Sequence, residues 1–160
     1  VSYDDRTSGG AATQVWLPAG EVYLTPVPGT ANGTFIADHF NYQGKPIEGF
    51  TLKFENGKLT SFTAKSGDLN PLKKSYQAAP AERDQFAAID FGINPNVIVP
   101  PNSRMSTWIG AGTISVGFGG NTWAGGDNNI PFDIFCHLNN GTCTVDGKPI
   151  IQDGALVTKQ

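Results

Sequence analysis

The alternation of apolar and polar positions predicts a chain that consists mainly of strands. Residues 47–55 alternate apolar and polar side chains, which is the period of a half-buried strand. An Asn56-Gly57 turn leads from this run into residues 58–64, and the pair forms the clearest predicted hairpin. Other runs of β-forming residues predict strands at 15–17, 21–25, 34–38, 87–92, 113–118, 130–136, 142–145 and 154–157.

Helical signals are few and local. Residues 66–68 offer caps for a helix at 69–79, which has Pro71 in its first turn, and residues 81–86 add another helical turn. Residues 104–109 are compatible with a short helix or a strand. The predicted class is therefore α+β and mostly β, with a twisted antiparallel or mixed sheet, or an open barrel, and one or two short helices.

The composition supports a single turn-rich domain. The chain has 160 residues, 20 of them glycine and 11 proline, and only 16% are charged. The net charge of −3 and the absence of a basic block exclude nucleic acid as an expected partner, and no apolar run is long enough to span a membrane. Residues 1–13 are polar and glycine-rich, which predicts a flexible entry or linker, and residues 14–160 form the predicted domain.

Two cysteines, Cys136 and Cys143, flank a loop with Asn-Gly near its tip. If they face each other across a hairpin, they form a disulfide, which indicates a periplasmic or secreted protein. The alternative is two reduced, half-buried thiols. A metal site built on this pair is not expected, because His137 alone does not complete a ligand set.

A lone carboxylate gives the first candidate site. Glu21 follows a Pro-Ala-Gly turn and opens a predicted strand, and the glycines nearby allow a ligand or another backbone to come close. A metal ion or a substrate amine could be held there. The alternative is a solvated glutamate in a hairpin.

The segment around Glu21 resembles the first metal-ligand motif of the aminopeptidase T family, the two-metal exopeptidases that are also called thermophilic metalloproteases. The match runs from Leu17 to Val22 and continues through the turn at Ala31 to Thr34. It extends over residues 14–157 and corresponds to the carboxyl-terminal, metal-binding part of those enzymes. The resemblance implies a cytoplasmic protein, and a homodimer or an association with an amino-terminal domain.

The other ligand motifs of the family are altered in this sequence. Asp90 stands where the resemblance implies a glutamate, and Ser115 stands where it implies a histidine. Pro131 replaces the second histidine, while Asp133 retains the final acid. The tyrosine of the family is also absent, since the glycine-rich loop after Ser115 carries Trp123 instead. The resemblance therefore implies a degenerate metal site that consists of three carboxylates.

Such a site supports two functions. In the first, Glu21, Asp90 and Asp133 hold one or two divalent cations (Zn, Co, Mn, Mg or Ca) near Ser115, and a metal-bound water attacks a peptide carbonyl. In the second, no cation binds, and the domain is a non-catalytic scaffold for a peptide, a small molecule or a partner, with Ser115 and Trp123 as ligand-binding residues. Imidazole supplies much of the affinity of a zinc site, so carboxylates alone favour a single hard cation or none.

Two related activities receive less support. The scaffold is similar to that of the dihydroxypyridine ring-cleaving dioxygenases, but the two histidines that hold iron in those enzymes are also missing. A Ser-His-Asp arrangement of Ser115, His39 and Asp133 lacks a nucleophile elbow and an oxyanion loop. His39 and His137, the two histidines of the chain, are predicted to have ordinary surface or hydrogen-bonding roles.

Overall fold

The computed structural model of this chain describes residues 20–38, 40–98 and 109–157. Four features predicted from the sequence lie outside these residues: the linker at 1–13, the strand at 15–17, His39, and all of the segment 104–109 except its last residue. The described residues contain no helix that is long and apolar enough to cross a membrane.

The largest sheet has four antiparallel strands in the order β1-β7-β8-β9. They are β1 (Glu21–Leu24), β7 (Phe86–Gly92), β8 (Ile114–Gly119) and β9 (Asp133–Leu138). Every residue of β8 is buried, and this strand has a neighbour on both sides. Since strands that are distant in sequence lie side by side, residues from four segments meet on each face of this sheet.

The predicted hairpin forms the middle of a second sheet. Strands β5 (Phe50–Glu55) and β6 (Lys58–Thr63) pair antiparallel, and β2 (Gly33–Ala37) pairs with the other side of β5. Asn56 and Gly57 join β5 to β6 with φ angles of 50° and 75°. These left-handed angles match the right-handed twist of a two-residue hairpin, and this explains the Asn-Gly sequence.

Smaller elements complete the fold. A two-stranded ribbon contains β3 (Asn41–Tyr42) and β4 (Lys45–Pro46), and a three-stranded sheet contains β10 (Cys143–Val145), β11 (Lys148–Gln152) and β12 (Ala155–Leu156). The one α-helix among the described residues, α1, spans Asn70–Ala78, and a 3-10 turn follows at Ala81–Asp84. The predicted fold class, α+β and mostly β, is confirmed, and the described strands form no closed barrel.

The four-stranded sheet and the sheet of β2, β5 and β6 pack around a shared core that is rich in aromatic side chains. Phe50, Leu52 and Phe118 are fully buried, and the ring of Phe40 stacks on Phe50 with centroids 4.3 Å apart. Helix α1 closes one side of this core with Leu72, which is also fully buried. The core occupies one face of β8 and β9, so their opposite face is left available for other contacts.

Three local predictions need correction. Residues flanking Cys136 and Cys143 do not form a hairpin, because β9 pairs with β8 and β10 pairs with β11, and both cysteines are free. The strand β11 was not predicted, although the Asp146-Gly147 turn that precedes it is a hairpin signal. No side chain caps α1, whose cap position is Leu69, although the Asp68 carboxylate accepts a hydrogen bond from the Asn70 amide at 3.0 Å.

We expect Phe50→Ala to destabilise the domain by about 3–5 kcal/mol, because it removes a fully buried ring and its stacking partner from the centre of the core. Urea unfolding followed by circular dichroism measures this change. Val27→Ala is the matched control, since Val27 is 72% exposed. A loss below about 1 kcal/mol for Phe50→Ala would contradict the central position of this ring.

Candidate functional site

A cavity of about 510 Å³ opens on the face of the four-stranded sheet that lies opposite the core. Its walls combine acidic, aromatic and hydroxyl side chains from β1, β3, β7, β8 and β9 and from the segments next to β3 and β8. The lining residues are Glu21, Tyr23, Phe40, Asn41, Tyr42, Asp90, Ile109, Ser115, Trp123, Asp133, Ile134, Phe135 and His137.

The floor of this cavity is a single row of side chains across the sheet. Tyr23 pairs with Asp90, Asp90 with Ser115, and Ser115 with His137. Side chains directly opposite each other in an antiparallel sheet point to the same face, so the four residues form one line. Their sequence neighbours, such as Val116 and Cys136, point to the core instead.

The remaining acidic residues lie on the same face because of the two-residue period of a strand. Glu21 precedes Tyr23 by two positions on β1, and Asp133 precedes His137 by four positions on β9. The ring of Phe135, between them on β9, covers Gly117, where an added Cβ would lie 2.4 Å from that ring. A glycine at position 117 is therefore required for the ring to lie against the cavity wall.

All five residues proposed from the sequence line this one cavity: Glu21, Asp90, Ser115, Trp123 and Asp133. They come from segments that are separated by up to about a hundred positions in the chain. The structure brings them together, whereas their roles as metal ligands or ligand-binding residues stay predictions.

The three carboxyl groups lie in surroundings that disfavour their charged forms. Burial, and secondarily the negative charge of Glu21, raises the pKa of Asp90 from its ordinary value of 3.8 to about 7. Burial also raises the pKa of Glu21 and of Asp133. The Oδ1 atom of Asp90 is buried and has no hydrogen-bond partner among the described residues. The cavity therefore contains a buried acceptor, the Oδ1 atom of Asp90, that has no donor among the described residues.

His137 lies in the site, although from the sequence it was predicted to have only an ordinary surface or hydrogen-bonding role. It is buried, and its Nδ1 atom lies 2.7 Å from the Ser115 hydroxyl oxygen. The family motifs gave no reason to consider this position, because they imply histidines at positions 115 and 131 and not at 137. The His137 imidazole lies in the site because residue 137 pairs with residue 115 across β8 and β9. This pairing can be recognised only once the strand register is known.

Trp123 is held above the cavity by aromatic contacts. Its ring lies 5.3 Å from the ring of Tyr23 and 5.4 Å from that of Phe135, measured between centroids. It belongs to a 3-10 turn, Thr122–Ala124, and the Thr25 hydroxyl donates to the Ala124 carbonyl at 3.0 Å. The side chain is still 44% exposed, so part of the indole faces the open cavity.

The loop that carries Trp123 is fixed at its base by two buried asparagines. The Asn121 side chain donates to the Ala87 carbonyl and accepts from the Asn128 amide. The Asn128 side chain donates to the Gly119 and Glu82 carbonyls at 2.8 and 2.9 Å. From the sequence only a glycine-rich loop could be recognised. The hydrogen bonds of the two asparagines define the conformation of this loop and hence the position of the Trp123 indole.

The side chains of the cavity do not form a ligand set for a metal ion. Within residues 20–38, 40–98 and 109–157, no group of three or more histidine, cysteine, aspartate or glutamate side chains is placed to hold one. The three carboxylates share the cavity without converging on a common point, and the two-metal centre implied by the family motifs does not fit them.

Sequence comparison relates the first half of the chain to a peptidase family. The family model described as thermophilic metalloprotease (M29) matches residues 2–75. Aminopeptidase 2 of Geobacillus stearothermophilus is 37% identical over 67 residues, which cover 37% of this chain and 16% of that enzyme. The resemblance to the thermophilic metalloproteases is thus confirmed over residues 2–75. The family description implies divalent metal in those proteins.

Structural comparison extends the similarity to most of the chain. The 2,5-dihydroxypyridine dioxygenase of Pseudomonas putida KT2440 superposes with a TM-score of 0.67 and 20% sequence identity, over 89% of this chain and 45% of that chain. At this identity the match shows a shared fold. The chain thus spans less than half the length of both relatives.

We expect the stability of the metal-free domain to fall as the pH rises from 3.8 to about 7, the ordinary and the raised pKa of Asp90. In this window the folded state binds a proton at Asp90 that the unfolded chain has released, so deprotonation costs folding free energy. Asp90→Asn keeps the shape of the side chain and should flatten the profile. Urea midpoints measured at several pH values in a chelating buffer test this.

Asp146→Asn provides the matched control, because Asp146 lies on an exposed turn with a φ of 51° that asparagine tolerates. Its pH profile should follow that of the unmodified protein. Equal slopes for the unmodified protein and Asp90→Asn would contradict the raised pKa of Asp90.

Proposed function

We propose that this domain is a non-catalytic ligand-binding member of the metallo-aminopeptidase-like group, and that its cavity binds the positively charged ammonium group of a small molecule or peptide. The observation that carries the proposal is the combination of three carboxyl groups with aromatic walls in one cavity of about 510 Å³. Such a cavity attracts a cation and also contacts the apolar part of the same ligand.

The charge of the cavity is the first argument. Glu21 and Asp90 repel each other, and burial penalises the ionised forms of Glu21, Asp90 and Asp133. A bound ammonium group would compensate these charges, and one that retains an N–H would also donate a hydrogen bond to the buried Oδ1 atom of Asp90, which has no partner among the described residues. Ligand binding would therefore stabilise the ionised carboxylates.

The separation of the acids is the second argument. A pair of transition-metal ions needs several ligands at short distance from each ion, and nitrogen donors supply much of the affinity. The described residues offer no such cluster. An organic cation does not need a cage of that kind, because it interacts with carboxylates and ring faces spread around it.

A second candidate function is a metal-dependent aminopeptidase activity, which the match to the thermophilic metalloproteases favours. In that case one hard cation, with waters completing its coordination, would have to be held by single carboxylates of the cavity. The two functions differ in whether binding survives a chelator and whether an amide substrate is cleaved.

We expect leucinamide to bind the chelator-treated protein, while 4-methylpentanamide, which lacks only the amine, binds at least about tenfold more weakly. Glu21→Gln should weaken leucinamide binding by about tenfold and leave the neutral amide unaffected, because it removes charge without changing shape. Isothermal titration calorimetry gives both dissociation constants, and Asp146→Asn is the control for a remote acid.

The same samples separate binding from catalysis. Ammonia release from leucinamide is measured with Zn²⁺, Co²⁺ or Mn²⁺ present, and we expect none. Turnover that requires metal and is lost in Glu21→Gln would replace this proposal with the peptidase function. Equal affinity for leucinamide and the neutral amide would rule out ammonium recognition.

A further inference from the structure

We propose that the Tyr23, Trp123 and Phe135 rings form a subsite for an N-methylated ammonium group, so that the preferred ligands carry a quaternary or otherwise N-alkylated amine. This inference rests on the proposed function and specifies the chemical class of its ligand. We call these three residues the aromatic subsite.

The aromatic subsite is continuous. Trp123 contacts both other rings, at centroid distances of 5.3 Å and 5.4 Å and with interplanar angles of 58° and 66°. The Trp123–Phe135 contact is edge-to-face and the Trp123–Tyr23 contact is tilted, and Tyr23 and Trp123 remain 45% and 44% exposed at the cavity. Ring faces that are open to a cavity attract cations through their negative quadrupole, most strongly for tryptophan.

The acids surround these rings without forming a compact cage. Glu21 lies two positions from Tyr23 on β1, and Asp133 lies two positions from Phe135 on β9, so each acid shares a strand face with one ring. No three acidic or imidazole groups of the described chain converge as a metal ion requires. A methylated ammonium is large and weakly hydrated, and it spreads its charge over its methyl groups.

The position of the indole is set before any ligand binds. Bonds from Asn121 and Asn128 fix the base of its loop, and the Thr25 hydroxyl holds the Ala124 carbonyl. The Phe135 ring is fixed by its contact with Gly117, where no larger residue fits. Because the rings are pre-positioned, a cation pays little ordering entropy to contact them.

The test compares two ligands that differ only in methylation. Leucinamide and N,N,N-trimethyl-leucinamide carry the same charge and side chain, and 4-methylpentanamide is the neutral reference. We expect the trimethylated ligand to bind about tenfold more tightly than leucinamide in calorimetric titrations of the unmodified, chelator-treated protein. Trp123→Leu should abolish the preference, because it keeps apolar surface and removes the π face, whereas Trp123→Phe should retain part of it.

The affinities of the two charged ligands and of the neutral reference distinguish the two proposals. Equal affinities for the two charged ligands, or tighter binding of leucinamide, would overturn the aromatic subsite and leave ammonium binding intact. Charged ligands that bind no better than the neutral reference would overturn both proposals. A methylation preference that survives Trp123→Leu would also overturn the role of the indole. If either variant does not fold, as judged by its circular dichroism, the comparison of ligands on the unmodified protein decides the matter.

Discussion

The strand register of the four-stranded sheet is the constraint on which both the core and the cavity depend. Because Asp90, Ser115 and His137 lie directly opposite one another, their neighbours Val116 and Cys136 are directed to the core. A slip of one residue would exchange the two sets, burying a carboxylate and an imidazole among phenylalanines and exposing the apolar residues. The same pairing thus stabilises the fold and assembles the site.

The cavity combines features that oppose each other in the absence of a ligand. Burial raises the pKa of the Glu21, Asp90 and Asp133 carboxyl groups, yet no histidine stands at the positions where the family motifs imply one. Sites that keep charge under such conditions usually have a function, because nothing in folding alone requires them. The organic cation proposed above would supply the positive charge that these carboxyl groups lack.

The sequence was most informative where local chemistry decides the structure. The Asn56-Gly57 dipeptide predicts a hairpin, because these two residues tolerate the left-handed angles that the turn requires. The motif around Glu21 could likewise be recognised from adjacent residues. His137 could not be placed in the site, because its proximity to Ser115 arises from pairing across 22 positions. The cysteine hairpin was wrong for the same reason, since the partners of β9 and β10 lie elsewhere in the chain.

Strand β1 contributes two lining residues of the cavity, Glu21 and Tyr23, although in the described part of the chain it pairs only with β7. Its residues Val22, Tyr23 and Leu24 are nearly half exposed, and none belongs to the buried core. Edge segments with few buried contacts open locally at a lower free energy than the whole domain. Detachment of this strand would remove Glu21 and Tyr23 from the cavity together while the core around Phe50 persisted, so the cavity could be dismantled without global unfolding.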